Sequence, residues 1–405
     1  MKYLLSICLL LAGLGAVAQQ FVHPAGGIDV QTFLLKSATL EANKIKLQLG
    51  DSGLLAALKG LQATAEKTLQ HGIYSVTFKK KLPPSGNVHD YMSVGPYWWP
   101  DSTKPDGLPY VRRDGVVNPE RFDIQDAEYY NALCRDVYTL GVTWYFTGES
   151  RYAAHAVKLL RAWFLDSATL MNPHLNYGQA IPGITEGRGI GLIDTHNTAM
   201  LVDGIQLLKA APELTTDDYA GIQSWYRRFL EWMRTSPIGL DEARQLNNHG
   251  TWYDVQAVVM ALFTEQRELA ATILNGQTKQ RIDRQLTPDG RQPLELARTL
   301  SWNYSQMNLE GFVQLALLAE NTAIDLWHYE SPAQKSLEQA FRWMLPYAAG
   351  QKKWTYQQIK PLNPDSFTAL TVRAADRYPE AGFATLWQQH PFVPSDLYRL
   401  THRTY

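Results

Sequence analysis

Apolar residues recur at three- and four-residue spacing through most of this chain, and that spacing is the period of an α-helix. The clearest run covers residues 126–147, and Gly148 predicts its end because glycine readily closes a helix. Strand-like alternation is scarce, with residues 74–78 as a short, weak case. The chain is therefore predicted to be all-α. The further helical runs, in chain order, are 149–165, 194–210, 217–233, 252–274, 307–321 and 332–349.

Pairs of helices joined by turns continue over several hundred residues without a repeat of fixed length. A solenoid would need such a repeat, so the pattern favours an α/α toroid, an incomplete barrel of about six or seven helix pairs. No linker rich in Ser, Pro or Gly divides the chain. Residues 19–405 are predicted to form one toroid domain with long aromatic-rich loops over a groove.

The first residues predict a secretory signal peptide, residues 1–18. Lys2 precedes a short apolar run, and Ala16-Val17-Ala18 is an A-x-A-like cleavage site. No later stretch is long and apolar enough to predict a membrane span. The mature protein is expected to be secreted or periplasmic in a bacterium. Only Cys134 would remain after cleavage, and its apolar setting predicts a buried thiol.

Two long stretches, residues 88–122 and 172–193, interrupt the helical pattern, and irregular stretches of this length are usually functional. They are rich in aromatic and basic residues in a chain that has 12 Trp and 21 Tyr. Aromatic faces can lie against sugar rings, and guanidinium groups pair with carboxylates, so an acidic-polysaccharide groove is predicted. The alternative is that these rings only cap the helices. The candidate substrate-binding residues are His89, Tyr91, Tyr97, Trp98, Trp99, Arg112, Tyr177, Gln179, Arg188 and His196.

Residues 246–254 place two amides, an imidazole and two aromatic rings directly before an apolar helical run. A neutral amide can donate to a carboxylate, and a histidine titrates near neutrality. These side chains are therefore predicted to point into a cavity. The alternative is that Asn247 or Asn248 is only a helix N-cap and that His249 is a structural polar group.

Four strings, HDYMSVGPYWWPDSTKPDGLPY, NYGQAIPGITEGRGIG, NNHGTW and ELARTLSWNYSQMNL, resemble the alginate-lyase superfamily of α/α-toroid polysaccharide lyases. The likeness is closest to polysaccharide lyase family 38, with families 5 and 17 as relatives. It implies cleavage of a uronic-acid polymer by β-elimination. The implied catalytic residues are the Asn248-His249 pair, Arg298 and Tyr304. The longer arginine-to-tyrosine spacing of family 5 would instead put Ser305 at the tyrosine position.

The chemistry of β-elimination explains why such residues are needed. Removal of the C5 proton of a 4-linked uronate gives an enolate-like dianion, so fixed donors must restrain the carboxylate. Asn248 and either Arg298 or Arg188 fit this role, with His249 as a further donor. Tyr304, close to Arg298 or to protonated His249, is expected to have a lowered pKa and to act as base and acid.

Stereochemistry narrows the substrate. In β-D-mannuronate and β-D-glucuronate the C5 proton and O4 leave from the same side, so one tyrosine can serve both. In α-L-guluronate they are anti, which calls for two groups, for example His249 as base and Tyr304 as acid. Mannuronate and glucuronate differ only at C2, so alginate and glucuronan both remain open as substrates.

Two other classes stay open. An α/α-barrel glycoside hydrolase would need paired carboxylates, for which Glu186, Asp194 and Asp254 are candidates. A non-catalytic acidic-glycan-binding protein would keep the aromatic groove without turnover. No cofactor or metal ion is predicted, because no HxH, HExxH or clustered Cys/His spacing occurs. A formal net charge of −1 gives no reason to expect nucleic acid as a partner.

Overall fold

The structure, a computed structural model, describes residues 30–388 and 394–403, so the predicted signal peptide lies outside the described residues. The described part is mostly helical. Its α-helices are α1 (Ser37–Gln48), α2 (Ser52–Thr68), α3 (Asp126–Thr147), α4 (Ser150–Phe164), α5 (Thr198–Leu208), α6 (Thr216–Thr235), α7 (Pro237–Ala243), α8 (Asn248–Phe263), α9 (Arg267–Ile273), α10 (Lys279–Gln285), α11 (Pro293–Leu296), α12 (Ser301–Ala319), α13 (Leu337–Ala348), α14 (Thr368–Arg377), α15 (Phe383–Gln388) and α16 (Asp396–Thr401).

The remaining regular elements are short. The 3₁₀-helices are Val76–Phe78, Pro119–Asp123, Gly189–Thr195, Pro364–Phe367 and Pro379–Ala381, and Leu274–Thr278 is a π-helical turn between α9 and α10. The strands are β1 (Met92–Val94), β2 (Trp98–Trp99), β3 (Val111–Arg112) and β4 (Tyr177–Ala180).

The helices alternate between an inner ring and an outer layer. In the ring α3 packs on α5, α5 on α8, and α8 on α12. These inner helices are buried nearly all round, and in α8 every residue except His249 is buried. Outer helices α4, α6 and α9–α10 link one inner helix to the next, and α4 and α6 are amphipathic, burying an apolar face against the ring. This is the predicted all-α toroid.

The predicted helix limits hold best where a cap residue is clear. The run 126–147 coincides with α3, and Gly148 ends it in the left-handed conformation, at φ 71°. The run predicted over 252–274 is wrong in its limits. The helix α8 begins earlier, because the Asn247 side chain caps it, and it ends at Phe263 before α9 starts a new helix. Helices α1 and α2 were not predicted at all.

The strand suggested at residues 74–78 is wrong. Val76–Phe78 is a 3₁₀ turn because the Ser75 hydroxyl accepts the Thr77 N–H at 3.0 Å and caps it. The predicted burial of Cys134 is confirmed, and burial raises the pKa of its thiol. No helix in the described part of the chain is both long and apolar enough to cross a membrane.

The two irregular stretches are joined to each other and to the ring. Strand β1 pairs in parallel with β4, which connects stretch 88–122 to stretch 172–193, while β2 pairs antiparallel with β3. Asp126, in the first turn of α3, forms a buried ion pair with Lys79 at 3.1 Å and accepts the Met92 N–H at 3.0 Å. The first residue of β1 is therefore fixed to the inner helix α3.

Candidate active site

A cleft of about 590 Å³ lies at the end of the toroid where the inner helices begin. Each of the four contributes residues from its first turns or from just before its start. Helix N-termini carry partial positive charge, so four of them directed at one cleft favour an anionic ligand. The residues that line the cleft from this side are Ala127, Asn131, Ile193, His196, Asn247, His249, Tyr304 and Met307.

The opposite side of the cleft comes from the irregular stretches and from two connections between helices. Trp98 lies under the Arg188 guanidinium, whose carbon is 5.9 Å from the ring centroid. Arg298, which lines the cleft between α11 and α12, faces the same side. The remaining lining residues are Pro96, Tyr97, Arg112, Arg121, Gln179, Ile190, Asp194 and Gln245.

Tyr304 and Arg298 form a contact pair in the cleft. The Tyr304 hydroxyl donates to the Tyr97 hydroxyl at 2.8 Å, and the Arg298 guanidinium lies 3.7 Å from the centroid of the Tyr304 ring. Burial raises the pKa of Tyr304 well above its usual value, and nearby Arg298 lowers it by less. The expected lowering of this pKa is therefore wrong in net direction, because burial outweighs the cation.

Arg298 is held by a carboxylate from the irregular stretch. Its Nη2 donates to Asp114 Oδ1 at 2.7 Å and its Nε to Oδ2 at 3.2 Å. Burial opposes ionisation of Asp114, but the hydrogen bond and the charge of Arg298 hold the pKa of Asp114 below its usual range. Arg112 donates to the same Oδ1 at 2.7 Å. Part of the charge on Arg298 is thus already neutralised.

His249 is oriented by a buried carboxylate. Its Nδ1 lies 2.8 Å from Oε1 of Glu242, a residue that is 1% exposed. Burial raises the pKa of Glu242, and the charge and hydrogen bond of His249 oppose that rise. Because Nδ1 is engaged in this way, Nε2 is the ring nitrogen available to a ligand.

Asn248 does not line the cleft, so its predicted position against the substrate carboxylate is wrong. It is buried, and both its backbone N–H and its side-chain amide donate to Glu295, at 2.6 and 2.8 Å. Asn247 lines the cleft instead. The Oδ1 of Asn247 caps α8 by accepting the His249 N–H at 3.3 Å, so the suggested N-cap role is confirmed for this residue.

Arg188 is positioned through Gln179. Its Nε and Nη2 donate to the backbone and side-chain oxygens of Gln179, at 3.0 and 3.1 Å. Gln179 adopts φ 47°, a costly conformation for a residue with a side chain. It is held there because Ser93 accepts its N–H and Asp194 accepts its side-chain amide, both at 2.8 Å. The partners of the Arg188 guanidinium are thus neutral oxygens, and burial lowers its pKa.

The structure brings most of the predicted site residues together. The predicted catalytic residues Tyr304, His249 and Arg298 line the cleft. So do six of the predicted substrate-binding residues: Tyr97, Trp98, Arg112, Gln179, Arg188 and His196.

Four predicted substrate-binding residues do not line the cleft. Tyr91 is buried, and its hydroxyl donates to Asp194 at 2.9 Å. The Nδ1 of His89 lies 2.6 Å from the Leu170 carbonyl oxygen, and Trp99 donates to the Val116 carbonyl at 2.9 Å. Tyr177 begins β4. These aromatic side chains support the loops rather than the cleft surface.

Several residues of the site carry no sequence motif that would have revealed them. Asn131, Arg121, Gln245 and Met307 line the cleft from separate elements. Asp114, Glu242 and Glu295 lie behind it. Asp114 and Glu295 are far in sequence from their partners Arg298 and Asn248, whereas Glu242 is only seven residues from His249 but belongs to no motif. Asn247 is the exception, since it adjoins the predicted Asn248-His249 pair.

The carboxylates do not form the pair that a glycoside hydrolase needs. Among the described residues, Asp194 is the carboxylate that lines the cleft. Asp254 is buried in an ion pair with Arg281 at 2.8 Å, and Glu186 is exposed outside the cleft. No group of three or more His, Cys, Asp or Glu side chains that could hold a metal ion occurs within residues 30–388 and 394–403.

The class that this fold and cleft define is an α/α-toroid polysaccharide lyase. The family model described as alginate lyase matches residues 75–354. The structure is similar to that of an alginate lyase from Bacteroides ovatus, with 37% identity and a TM-score of 0.88, over 92% of this chain and 99% of that one. The chain therefore belongs to the alginate lyase family.

More distant structures show the same fold. Alginate lyase A1-III from Sphingomonas species A1 is 19% identical with a TM-score of 0.58, over 90% of this chain and 95% of that one. A variant of A1-III with a tyrosine replaced by phenylalanine, complexed with a tetrasaccharide, is 18% identical with a TM-score of 0.57, over the same 90% and 95%. Comparison with curated proteins gave no match. The finer likeness to family 38 stays a prediction.

Proposed function

We propose that this protein cleaves β-1,4-linked mannuronate in alginate, or glucuronate in glucuronan, by β-elimination that leaves 4,5-unsaturated uronate ends. The observation that carries the proposal is that Tyr304, His249 and four arginines, with Arg188 and Arg298 among them, line one cleft beside the partly exposed rings of Tyr97 and Trp98. Membership of the alginate lyase family supports lyase activity on alginate.

Arg188 is the best-suited partner for the substrate carboxylate. The charge of Arg298 is shared with Asp114, whereas the Arg188 guanidinium is held by the neutral oxygens of Gln179. A cation with neutral partners in a half-buried cleft gains most from an incoming carboxylate. Asn247 at the start of α8 takes the amide role first assigned to Asn248.

Tyr304 is the proton-transfer group. Its raised pKa keeps the phenol protonated in the free protein. It must lose this proton before it can act as base, and Nε2 of His249, in the same cleft, can accept it. The phenolate then removes the C5 proton, the C4–O4 bond breaks as the C4=C5 bond forms, and the phenol returns the proton to O4. The protonated His249 adds positive charge near the enolate.

A substrate panel tests this proposal. The purified protein is incubated with polymannuronate, polyguluronate, glucuronan and hyaluronan, and ultraviolet absorbance of unsaturated uronate is followed together with product size. Absorbance should rise with polymannuronate or glucuronan. It should be lost in Tyr304→Phe and kept in the control Tyr329→Phe, a residue that contacts Lys279 away from the cleft.

Each contrary outcome identifies another class. New reducing ends without absorbance would indicate a hydrolase. Binding of acidic glycan without any product would indicate a binding protein. Cleavage of polyguluronate alone would exclude a syn mechanism with one tyrosine and would favour His249 as the base.

We also propose that the protein acts outside the cytoplasm after removal of residues 1–18. The apolar run and the A-x-A-like site at Ala16-Val17-Ala18 support export. Amino-terminal sequencing of the protein produced in a bacterial host should begin at Gln19. An intact Met1 in the periplasmic fraction would contradict this proposal.

A further inference from the structure

A second hollow of about 350 Å³ lies beside the cleft, and we call it the side groove. Its surface is formed by Arg244 and Leu246 from the connection after α7, by Gln277 and Gln280, and by Arg284 in α10. The side chain of Arg281 also lines it. None of these residues lines the cleft.

The cleft and the side groove share a thin wall. Along residues 243–247, Gln245 and Asn247 line the cleft, whereas Arg244 and Leu246 line the side groove. Neighbouring residues of this turn therefore face opposite sides of the wall. A ligand that leaves the cleft over this wall would reach the side groove directly.

The wall is rigid because buried groups hold it. Arg281 donates to the carbonyl oxygens of Ala243 and Gln245, each at 2.9 Å, while its Nε pairs with Asp254 at 2.8 Å. A Cβ on Gly250 would lie 2.1 Å from the Arg281 guanidinium, so only glycine allows this approach. The side chain of Arg281 thus stabilises the wall, and Asp254 neutralises the charge of Arg281.

The side groove opens at the same end of the toroid as the cleft. Gln285, at the end of α10, accepts from Thr251 in the first turn of α8 and donates to the Asn247 carbonyl, at 3.0 and 3.1 Å. Thr278, just before α10, bonds Asp254 further along α8 at 3.0 Å. The helix α10 therefore runs antiparallel to α8 and ends where the cleft begins.

The exposed chemistry of the side groove suits an acidic sugar chain. Arg244 and Arg284 are exposed, and in the described part of the chain neither has a carboxylate within ion-pair distance. Gln277 and Gln280 offer amide donors and acceptors for hydroxyl groups. Leu246 is 58% exposed and provides an apolar surface for a ring face. Unpaired arginines beside amides bind carboxylates and hydroxyls together.

We propose that the side groove is a distal subsite that binds uronate units of the same polymer beyond those held in the cleft. This inference rests on the proposed function, since it takes the cleft to bind a polyuronate. It predicts that the protein prefers long chains to short ones, because only a long chain crosses the wall.

The test is the double variant Arg244→Ala/Arg284→Ala, studied in a Tyr304→Phe background so that the ligand is not consumed. Calorimetry measures the dissociation constants for long-chain polymannuronate and for a mannuronate trisaccharide. The double variant loses the two ion pairs that Arg244 and Arg284 are proposed to form with carboxylates of the polymer. Binding of the long chain should therefore weaken about tenfold, and binding of the trisaccharide should stay unchanged. In the otherwise wild-type protein the same two substitutions should raise KM for the polymer and leave kcat unchanged.

The matched control is Arg228→Ala/Arg234→Ala, which removes two exposed arginines from α6. It should leave both dissociation constants unchanged. Equal weakening by this control would show a general charge effect and overturn the subsite. Equal weakening of both ligands by Arg244→Ala/Arg284→Ala, or no weakening of either, would overturn it as well.

Failure of the proposed function has a different signature. If the wild-type protein produces no unsaturated uronate but length-dependent binding is lost in Arg244→Ala/Arg284→Ala, the subsite stands and the lyase activity does not. If the protein binds no polyuronate of any length, both proposals are overturned. Thermal unfolding of each variant confirms that the fold is kept.

Discussion

The two sides of the cleft are built differently. Tyr304 and His249 project from the first turns of buried inner helices, and His249 is fixed by the buried carboxylate of Glu242. Tyr97 and Trp98 come from stretch 88–122, whose strands are only two or three residues long. Proton transfer needs precise distances, and helices supply them. Recognition of a polymer tolerates small changes in side-chain position, and loops allow such changes.

Two contacts link Tyr304 to the opposite side of the cleft. The Tyr304 hydroxyl donates to Tyr97, and the Tyr304 ring lies against Arg298, which donates twice to Asp114. The loop side therefore contributes to the electrostatic environment of Tyr304, the proposed proton-transfer group, as well as lining the cleft proposed to bind substrate. Variants on the helix side should change kcat, variants on the loop side should change KM, and variants of the joining residues should change the pH profile.

The largest effect is expected from Tyr304→Phe, which removes the proton-transfer oxygen and keeps the ring under Arg298. Loss of a general acid–base group lowers kcat by about 10³-fold. KM should change little, since the stacking surface remains. The measurement is the initial rate of absorbance increase on polymannuronate. A kcat within a few-fold of wild type would mean that another residue transfers the proton. It would then contradict the proposed division between a catalytic helix side and a substrate-binding loop side.

Arg298→Gln should have the next largest effect, about 10²-fold on kcat, because it removes a cation beside the reacting groups. The same variant also tests the direction in which Arg298 shifts the pKa of Tyr304. Arg298 lowers the pKa of Tyr304, so its removal should raise that pKa further. The alkaline limb of the kcat/KM profile should then move to higher pH. Movement to lower pH would contradict the assignment of that limb to Tyr304.

Glu242→Gln tests how the helix side is positioned. The amide keeps the size of the side chain but no longer stabilises a proton on His249, so kcat should fall about tenfold. The conservative variant Glu242→Asp should recover part of the loss, and Asp241→Asn is the neighbouring control. An unchanged kcat in Glu242→Gln would mean that His249 takes no proton during turnover.

The fold was largely predictable from sequence because helical periodicity is a local signal. The run 126–147 and its end at Gly148 needed no tertiary information. Helix limits failed where a side-chain cap decided them, as at Asn247. Loop rings such as Tyr91 and Trp99 were misplaced because composition does not tell which aromatic side chains face a cleft and which support it.

The site was predictable only in part, because contacts between residues distant in sequence and the burial of side chains decide how it is built. Resemblance placed Tyr304, His249 and Arg298 together, and the structure puts them in one cleft. Glu295 and Asp114 have partners far away in sequence, and the use of Asn248 behind the cleft depends on Glu295. The raised pKa of Tyr304 follows from burial, which a single sequence does not report.

On the loop side, Trp98→Ala should raise KM about fivefold and leave kcat within twofold, because it removes an aromatic face from the groove. Steady-state kinetics on polymannuronate measures both constants. Trp99→Ala is the matched control, since Trp99 lies outside the cleft and bonds Val116. A large loss of kcat in Trp98→Ala would show that the loop side also positions the reacting groups.

The smallest change in rate is expected from Tyr97→Phe, about threefold or less, with an informative change in the pH profile. The hydrogen bond that Tyr304 donates to Tyr97 favours the protonated phenol and raises the pKa of Tyr304, so its removal should lower that pKa. The alkaline limb of kcat/KM should then move to lower pH, opposite to the effect of Arg298→Gln. Tyr110→Phe, which removes only the hydrogen bond from Tyr110 to Glu120 in the same stretch, should leave the limb in place. If Tyr97→Phe and Tyr110→Phe give the same profile, the loop side does not control the catalytic tyrosine.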